Sequence, residues 1–253
     1  MAADIVDPPR GGILFRSLRR VSDGSVISGP SLLVDEILRL SEASSIAELV
    51  NEKWNGDTSA LREVSRHLHT STSRAQTQRV CLYLRARHRD IGASRERGTL
   101  STRPRIYRSP RIGLDLSHPS IPAIMDDTLK HPRVVFVAKM YRYFCHPNLL
   151  TANGRGQTFL GVCGEDLHKT VQAGDTEDES KLAEVIAATG LKMVTAQKYL
   201  QDYLQGYRTG SLKSFIGAAG KGASSSPTTF LRMMGTLMKA RESAVDIDDV
   251  VDG

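Results

Sequence analysis

The chain has 253 residues, 40% apolar and 25% charged, with a net charge of +6, enough apolar material for one large domain or two packed lobes and too much for disorder throughout. The opening MAADIVDPPRGG lacks an apolar stretch behind a basic start, and no window approaches about 18 continuous apolar residues, so the expectation is a protein neither secreted nor inserted in a membrane. Cys81, Cys145 and Cys163 are odd in number and unpatterned in spacing, which argues against a disulfide framework and suits a reducing compartment.

Residues 1–29, rich in Pro, Gly and Ser, read as a loose leader or extended arm. From residue 31, SLLVDEILRL places Leu33, Ile37 and Leu40 on one face with Val34 and Leu38 beside them, predicting an amphipathic helix capped by Ser31. Such a stripe either joins its own core or docks on a neighbouring subunit. SSIAELVNEKW follows, then DTSALREVSRHLH with the stripe Leu61, Val64 and Leu68. RVCLYLRARHRD, residues 79–90, reads as a third helix that buries Val80, Leu82, Tyr83 and Leu84 before ending in Arg85, Arg87 and Arg89. Residues 92–110, punctuated by Gly92, Gly98, Pro104 and Pro110, read as a long basic connection.

Beyond it, PSIPAIMDDTLKHP predicts a short helix between prolines. RVVFVAKMYRYF is a core helix or a strand, and the lack of flanking strands favours helix. NGRGQTFLGVCG is turn-like. SKLAEVIAATG, KMVTAQKYLQDYLQGY, SLKSFIGAA and TTFLRMMGTLMKAR predict helices, and ESAVDIDDVVDG is an acidic tail. Helical spacing recurs and clean alternation does not. The expected fold is therefore all-α and two-lobed. Residues 1–43 form a leader and arm helix, 44–117 an N-terminal helical lobe with the Arg-rich segment, 118–241 a C-terminal helical lobe and 242–253 the acidic tail.

Charge is concentrated. Residues 62–111 hold 13 arginines, no lysine and three acids, a net of +10, so the rest of the chain sums to −4. A block of this kind is the footprint of a phosphate-binding surface, and arginine's planar fork matches phosphate oxygens and stacks on bases. The competing reading is a solvated basic face. Arginines delivered by a buried helix lose less entropy on binding than arginines on a loop, which singles out Arg85, Arg87 and Arg89. Tyr83 or Tyr107 would offer a stacking face. Arg103, Arg105 and Arg108 read as part of a Pro-bounded tether.

Other motifs carry little chemistry. GAAGKGASSS has the wrong spacing for a phosphate loop and reads as a linker. Cys145, His146, Cys163 and His168 match no zinc pattern, and Asp126 and Asp127 lack a catalytic partner, so no metal, cofactor or enzymatic activity is expected. LAEVIAATGLKMVTAQKYLQDYL, within residues 181–206, resembles a helix-turn-helix with Gly190 at the turn, Val194, Tyr199 and Leu200 inward, and Lys192, Thr195, Gln197 and Lys198 outward. It departs from that pattern at Ile186, where a small residue is usual. A DNA-binding transcriptional regulator is therefore the alternative function.

In the order of its segments, the chain resembles the small nucleoproteins of segmented negative-strand RNA viruses of the phenuivirus and tenuivirus type. The arm SLLVDEILRL, the run IAELVNEKWNGDTSALREVSRHL into CLYLRARHRD, the central SPRIGLDLSHPSIPAIM and the closing LAEVIAATGLKMVTAQKYLQDYLQGYRTGSLKSFIGAA carry the likeness from about residue 31 onward. An all-arginine cluster and a single tryptophan, Trp54, depart from it. The resemblance implies a basic groove between two lobes that holds single-stranded RNA. Arg85, Arg87, Arg89, Arg95 and Arg97 would line it, and Leu33, Ile37 and Leu40 would pack on the next protomer in a homo-oligomer. It further implies a viral polymerase as a partner and residence in the virion and host cytoplasm.

Overall fold

The computed structural model describes residues 12–56, 104–121, 125–150, 153–164, 167, 177–222 and 226–251, with 125–127, 177–179 and 245–251 described by their backbone only. They fall into two units, residues 1–100 and 101–253. The described residues are predominantly helical, with two short antiparallel ribbons that the all-α expectation did not contain.

In the first unit, part of the expected loose leader is a hairpin. Strands β1 (Ser17–Arg19) and β2 (Val26–Ser28) pair Leu18 with Ile27. Asp23 holds the turn by accepting from the Ser25 backbone and hydroxyl, and Gly24 supplies the positive φ. Helix α1 (Pro30–Leu40) follows directly. Its cap is Gly29, not Ser31, because Pro30 occupies the first helical position with a φ already fixed for it. Leu33 and Glu36 are its buried residues. Glu36 accepts from Arg20 in the hairpin turn and, in a two-point fork, from Arg39. Those hydrogen bonds hold its carboxyl down at about 2. A short helix, α2 (Ile46–Glu48), is capped by the Ser45 hydroxyl and widens into a π-turn at Leu49–Lys53.

The second unit is built on six helices and one ribbon among the described residues. In chain order come β3 (Tyr107–Ser109), α3 (Met125–Lys130), α4 (Pro132–Val137), β4 (Arg142–Phe144), α5 (Arg155–Cys163), α6 (Glu177–Thr189), α7 (Met193–Thr209) and α8 (Pro227–Val251). RVVFVAKMYRYF is therefore both of its alternatives in turn, a helix started by Pro132 and a strand after the bend at 138–141. The expected turn NGRGQTFLGVCG is instead mostly α5, an enclosed helix with every residue from Gly156 to Gly161 buried. Glycine there costs about 1 kcal/mol of helix propensity but lets backbones meet: a Cβ on Gly161 would lie 2.5 Å from the Arg108 carbonyl oxygen, and one on Gly156 3.1 Å from Phe230.

Helices α7 and α8 run parallel, because partners keep an offset near thirty residues along their length: Lys198 with Thr228, Asp202 with Arg232, Gly206 with Thr236 and Arg208 with Lys239. Cβ atoms on Gly206 and Gly235 would collide with the Arg232 and Tyr203 carbonyls, so the two axes are drawn together by missing side chains. A parallel pair requires the chain to return between the two starts. The crossover 210–226 does this. Its described residues hold a single 3-10 turn (Leu212–Ser214) where SLKSFIGAA was expected to be a helix, and buried Leu212, Phe215 and Ile216 pin it. Burial alone would raise the Asp202 carboxyl, but Lys198, Thr228 and Arg232 together pull it below its ordinary value. Helix α8 continues through the expected acidic tail to Val251. No helix among the described residues is long and apolar enough to cross a membrane.

Candidate nucleic-acid interface

Strands β3 and β4 pair Tyr107 with Phe144, Arg108 with Tyr143, and Ser109 with Arg142. Opposite residues share a face, so the ribbon has one side carrying Tyr107, Phe144, Ser109 and Arg142 and another carrying Arg108 and Tyr143. The first side rests on α5. Ser109 is fully buried there, Gly161 lies against the Arg108 carbonyl and the Ser109 Cβ, and Arg142 donates to both the Ser109 hydroxyl and the Thr158 hydroxyl at 3.1 Å. Buried Ser109 and Pro110 thus root β3, so the end of the expected connection 92–110 is a strand and not a loop.

On this side a stacked pair of rings lies between two guanidinium groups. Arg105 lies 5.1 Å from the Tyr107 ring centre, Tyr107 stacks on Phe144 at 5.6 Å and 22°, and Arg142 lies 4.4 Å from the Phe144 centre. On the other side Arg108 lies 5.9 Å from the Tyr143 ring. At the end of the ribbon Lys139 approaches Tyr141 at 5.9 Å, and Phe136 meets Tyr141 edge-on. Tyr143 is 63% exposed and Tyr141 48% exposed, so two ring faces with neighbouring cations stand in solvent. Residues 104–155 carry eight Arg or Lys against three acids. This combination offers phosphate contacts and ring faces on one rigid support, as sequence-tolerant binding of single strands requires.

The arginines singled out from sequence, Arg85, Arg87, Arg89, Arg95 and Arg97, lie outside the described residues, as does Tyr83. Leu33 is buried within its own unit, Ile37 is half-buried and Leu40 is exposed. In the helix-turn-helix-like segment, Gly190 does form the turn between α6 and α7 with a positive φ. Val194, however, is 76% exposed and Ala196 takes the inward place. Lys198 is held by Asp202 and Thr228. Tyr141, Arg142, Tyr143 and Phe144 were not identified from sequence as binding residues. The signal was the alternation of cation and ring in R-I-Y-R and R-Y-F, which a strand reading would have brought face to face.

Among the described residues no three His, Cys, Asp or Glu side chains converge to hold a metal ion. No family model, curated protein or solved structure matches the chain.

Proposed function

We propose that this chain is a structural RNA-binding protein, a viral nucleoprotein that coats single-stranded genomic RNA and assembles through its N-terminal helix, with the β3–β4 ribbon as part of the RNA path. The observation that carries this reading is the ribbon's layering of Arg105, Tyr107, Phe144 and Arg142 beside exposed Tyr141 and Tyr143. Strand β3 falls within the arginine block of residues 62–111, and the segment order resembling viral nucleoproteins supports the same conclusion. Arg85, Arg87, Arg89, Arg95 and Arg97 supply further phosphate contacts. The protein is read as non-enzymatic, with RNA, further copies of itself and a viral polymerase as partners, in the virion and the host cytoplasm.

The test is binding of unrelated single-stranded RNAs at several salt concentrations. A coat protein binds them with similar affinity, and each phosphate contact removed flattens the slope of log affinity against log salt by about 0.7. Arg105→Ala with Arg108→Ala should flatten it by about 1.4, and Arg85→Ala, Arg87→Ala and Arg89→Ala together by about 2. Preference for one duplex DNA site by several kcal/mol over random duplex, abolished by Lys192→Ala with Gln197→Ala, would instead establish the transcriptional regulator.

A further inference from the structure

The two sides of the β3–β4 ribbon differ in what they leave to solvent. Along residues 141–145 exposure alternates strictly, with Tyr141, Tyr143 and Cys145 exposed and Arg142 and Phe144 half-buried. On the other strand Arg108 is exposed between half-buried Tyr107 and buried Ser109. Each exposed ring on this outer side has a cation of its own, Arg108 at 5.9 Å from the Tyr143 centre and Lys139 at 5.9 Å from the Tyr141 centre. Residues two apart on an extended strand lie about 6.6 Å from each other, which is about twice the 3.4 Å between bases stacked along one strand of a duplex. Residues 97–114 and 128–164, which hold the two strands, contain no Asp or Glu.

We propose that this outer side is a two-nucleotide subsite, a proposal that rests on the coat-protein reading. Tyr141 and Tyr143 each take one base of two successive nucleotides, and Lys139 and Arg108 take the phosphates beside them. Spacing sets the register. Bases that stay stacked on each other are too close for each to cover its own ring, so the strand is drawn out until neighbouring bases part, and each tyrosine replaces the neighbour that was lost. Charge and rings together set the ligand class. An acid-free ribbon attracts polyanions in general, but a chain of carboxylates would meet the cations and leave both rings bare, whereas a nucleotide satisfies ring and cation at once. Cys145 continues the exposed row and reports on its occupancy.

The experiment uses the full chain after nuclease treatment. Its probes are a uridylate homopolymer, a ribose-phosphate strand of equal length without bases, and polyglutamate. Uridylate bases stack weakly on one another, so drawing that strand out costs little. Fluorescence anisotropy at several salt concentrations gives affinity and salt slope, and alkylation of Cys145, followed by peptide mass spectrometry, gives position. The wild type should prefer uridylate over the base-free strand. That ratio should fall about tenfold in Tyr141→Leu, about tenfold in Tyr143→Leu and about a hundredfold in the double variant, with the salt slope unchanged. Lys139→Gln with Arg108→Gln should flatten the slope by about 1.4 and leave the ratio as it was. Uridylate should slow alkylation of Cys145, and polyglutamate should bind at least about tenfold more weakly than uridylate. An unchanged ratio in the double tyrosine variant, polyglutamate binding as tightly as uridylate, or Cys145 equally reactive with and without RNA would each overturn the subsite. Loss of self-association in the double tyrosine variant, read by sedimentation velocity, would instead give this side to another copy of the chain. Should a tyrosine variant fail to fold, Cys145 protection and the cation pair still decide. A wild type that binds no RNA overturns the coat-protein reading as well, whereas RNA binding with an unchanged ratio overturns the subsite alone.

Discussion

Arg142 acts in two directions. Its Nη1 donates to Ser109 and Thr158 while its plane covers Phe144, and a lysine ammonium has no flat face with which to cover the ring while its head makes those bonds. Tyr143, next in sequence, points away and is mostly exposed. The two residues should therefore fail differently. Arg142→Lys is expected to lower stability by about 1–2 kcal/mol through the lost hydrogen bonds and to weaken RNA binding with it. Tyr143→Ala should leave stability within about 0.5 kcal/mol and reduce RNA affinity by about 1–3 kcal/mol through lost stacking. Thermal denaturation and fluorescence anisotropy separate the two, and wild-type RNA affinity in Tyr143→Ala would remove the ribbon from the RNA path. Gly161 makes a sharper test of the support. Alanine gains about 1 kcal/mol in helix propensity, but its Cβ meets the Arg108 carbonyl at 2.5 Å and the Ser109 Cβ at 2.8 Å. Backbone cannot swing aside as a side chain can, so the overpacking term wins and Gly161→Ala should lose about 1–3 kcal/mol, measurable as a lower denaturation midpoint.

The hairpin and α1 are joined through one carboxylate. Glu36 is held at about 2, below its ordinary 4.5, by hydrogen bonds from Arg39 and then Arg20. A depressed carboxyl favours the folded state when ionised, so its contribution is fully present above about pH 4.5 and is lost as pH falls towards 2. Asp23, also about 2, titrates in the lower part of that window. Glu36→Gln should remove the Glu36 share, so acid titration of the wild type between pH 4.5 and 2, followed by circular dichroism, should show a steeper loss of structure than the variant does. Identical curves would assign the clamp no role. Elements such as α1, α6 and α7 were legible because 11 to 17 residues sample several turns of a 3.6-residue period. The ribbon was not, since three-residue strands cannot display alternation. Helix α5 was hidden by the same glycines that let it pass close to β3 and α8, because glycine reads locally as a turn and only tertiary contact compensates it. At the candidate site, the arginines were visible as composition, while the rings that face them depend on a pairing between residues more than thirty positions apart.

At the scale of the whole molecule, the reading as a coat protein requires a contact that repeats from one copy to the next. Helix α1 satisfies its own unit with Leu33, which is 4% exposed, yet leaves Leu32 at 56% and Leu40 at 62%. A helix that has already buried an anchor and still shows large apolar side chains has surface available for a second body. Each leucine so covered contributes about 1.5–3 kcal/mol, so two of them shift an assembly equilibrium by orders of magnitude. Leu32→Glu with Leu40→Glu should therefore yield a folded monomer, because both side chains already stand in solvent and their loss leaves no cavity. Leu33→Ala behaves differently. It removes a buried group, costs about 2–5 kcal/mol, and should lower stability whatever the oligomeric state. Sedimentation velocity of nuclease-treated protein distinguishes these outcomes. A double glutamate variant that still sediments as the wild-type oligomer would show that α1 serves only its own unit and that copies meet through another surface. If it sediments as a monomer with an unchanged melting temperature, RNA binding should persist for each protomer while cooperativity along the strand disappears, since the ribbon belongs to residues 101–253 and the contact to residues 1–100.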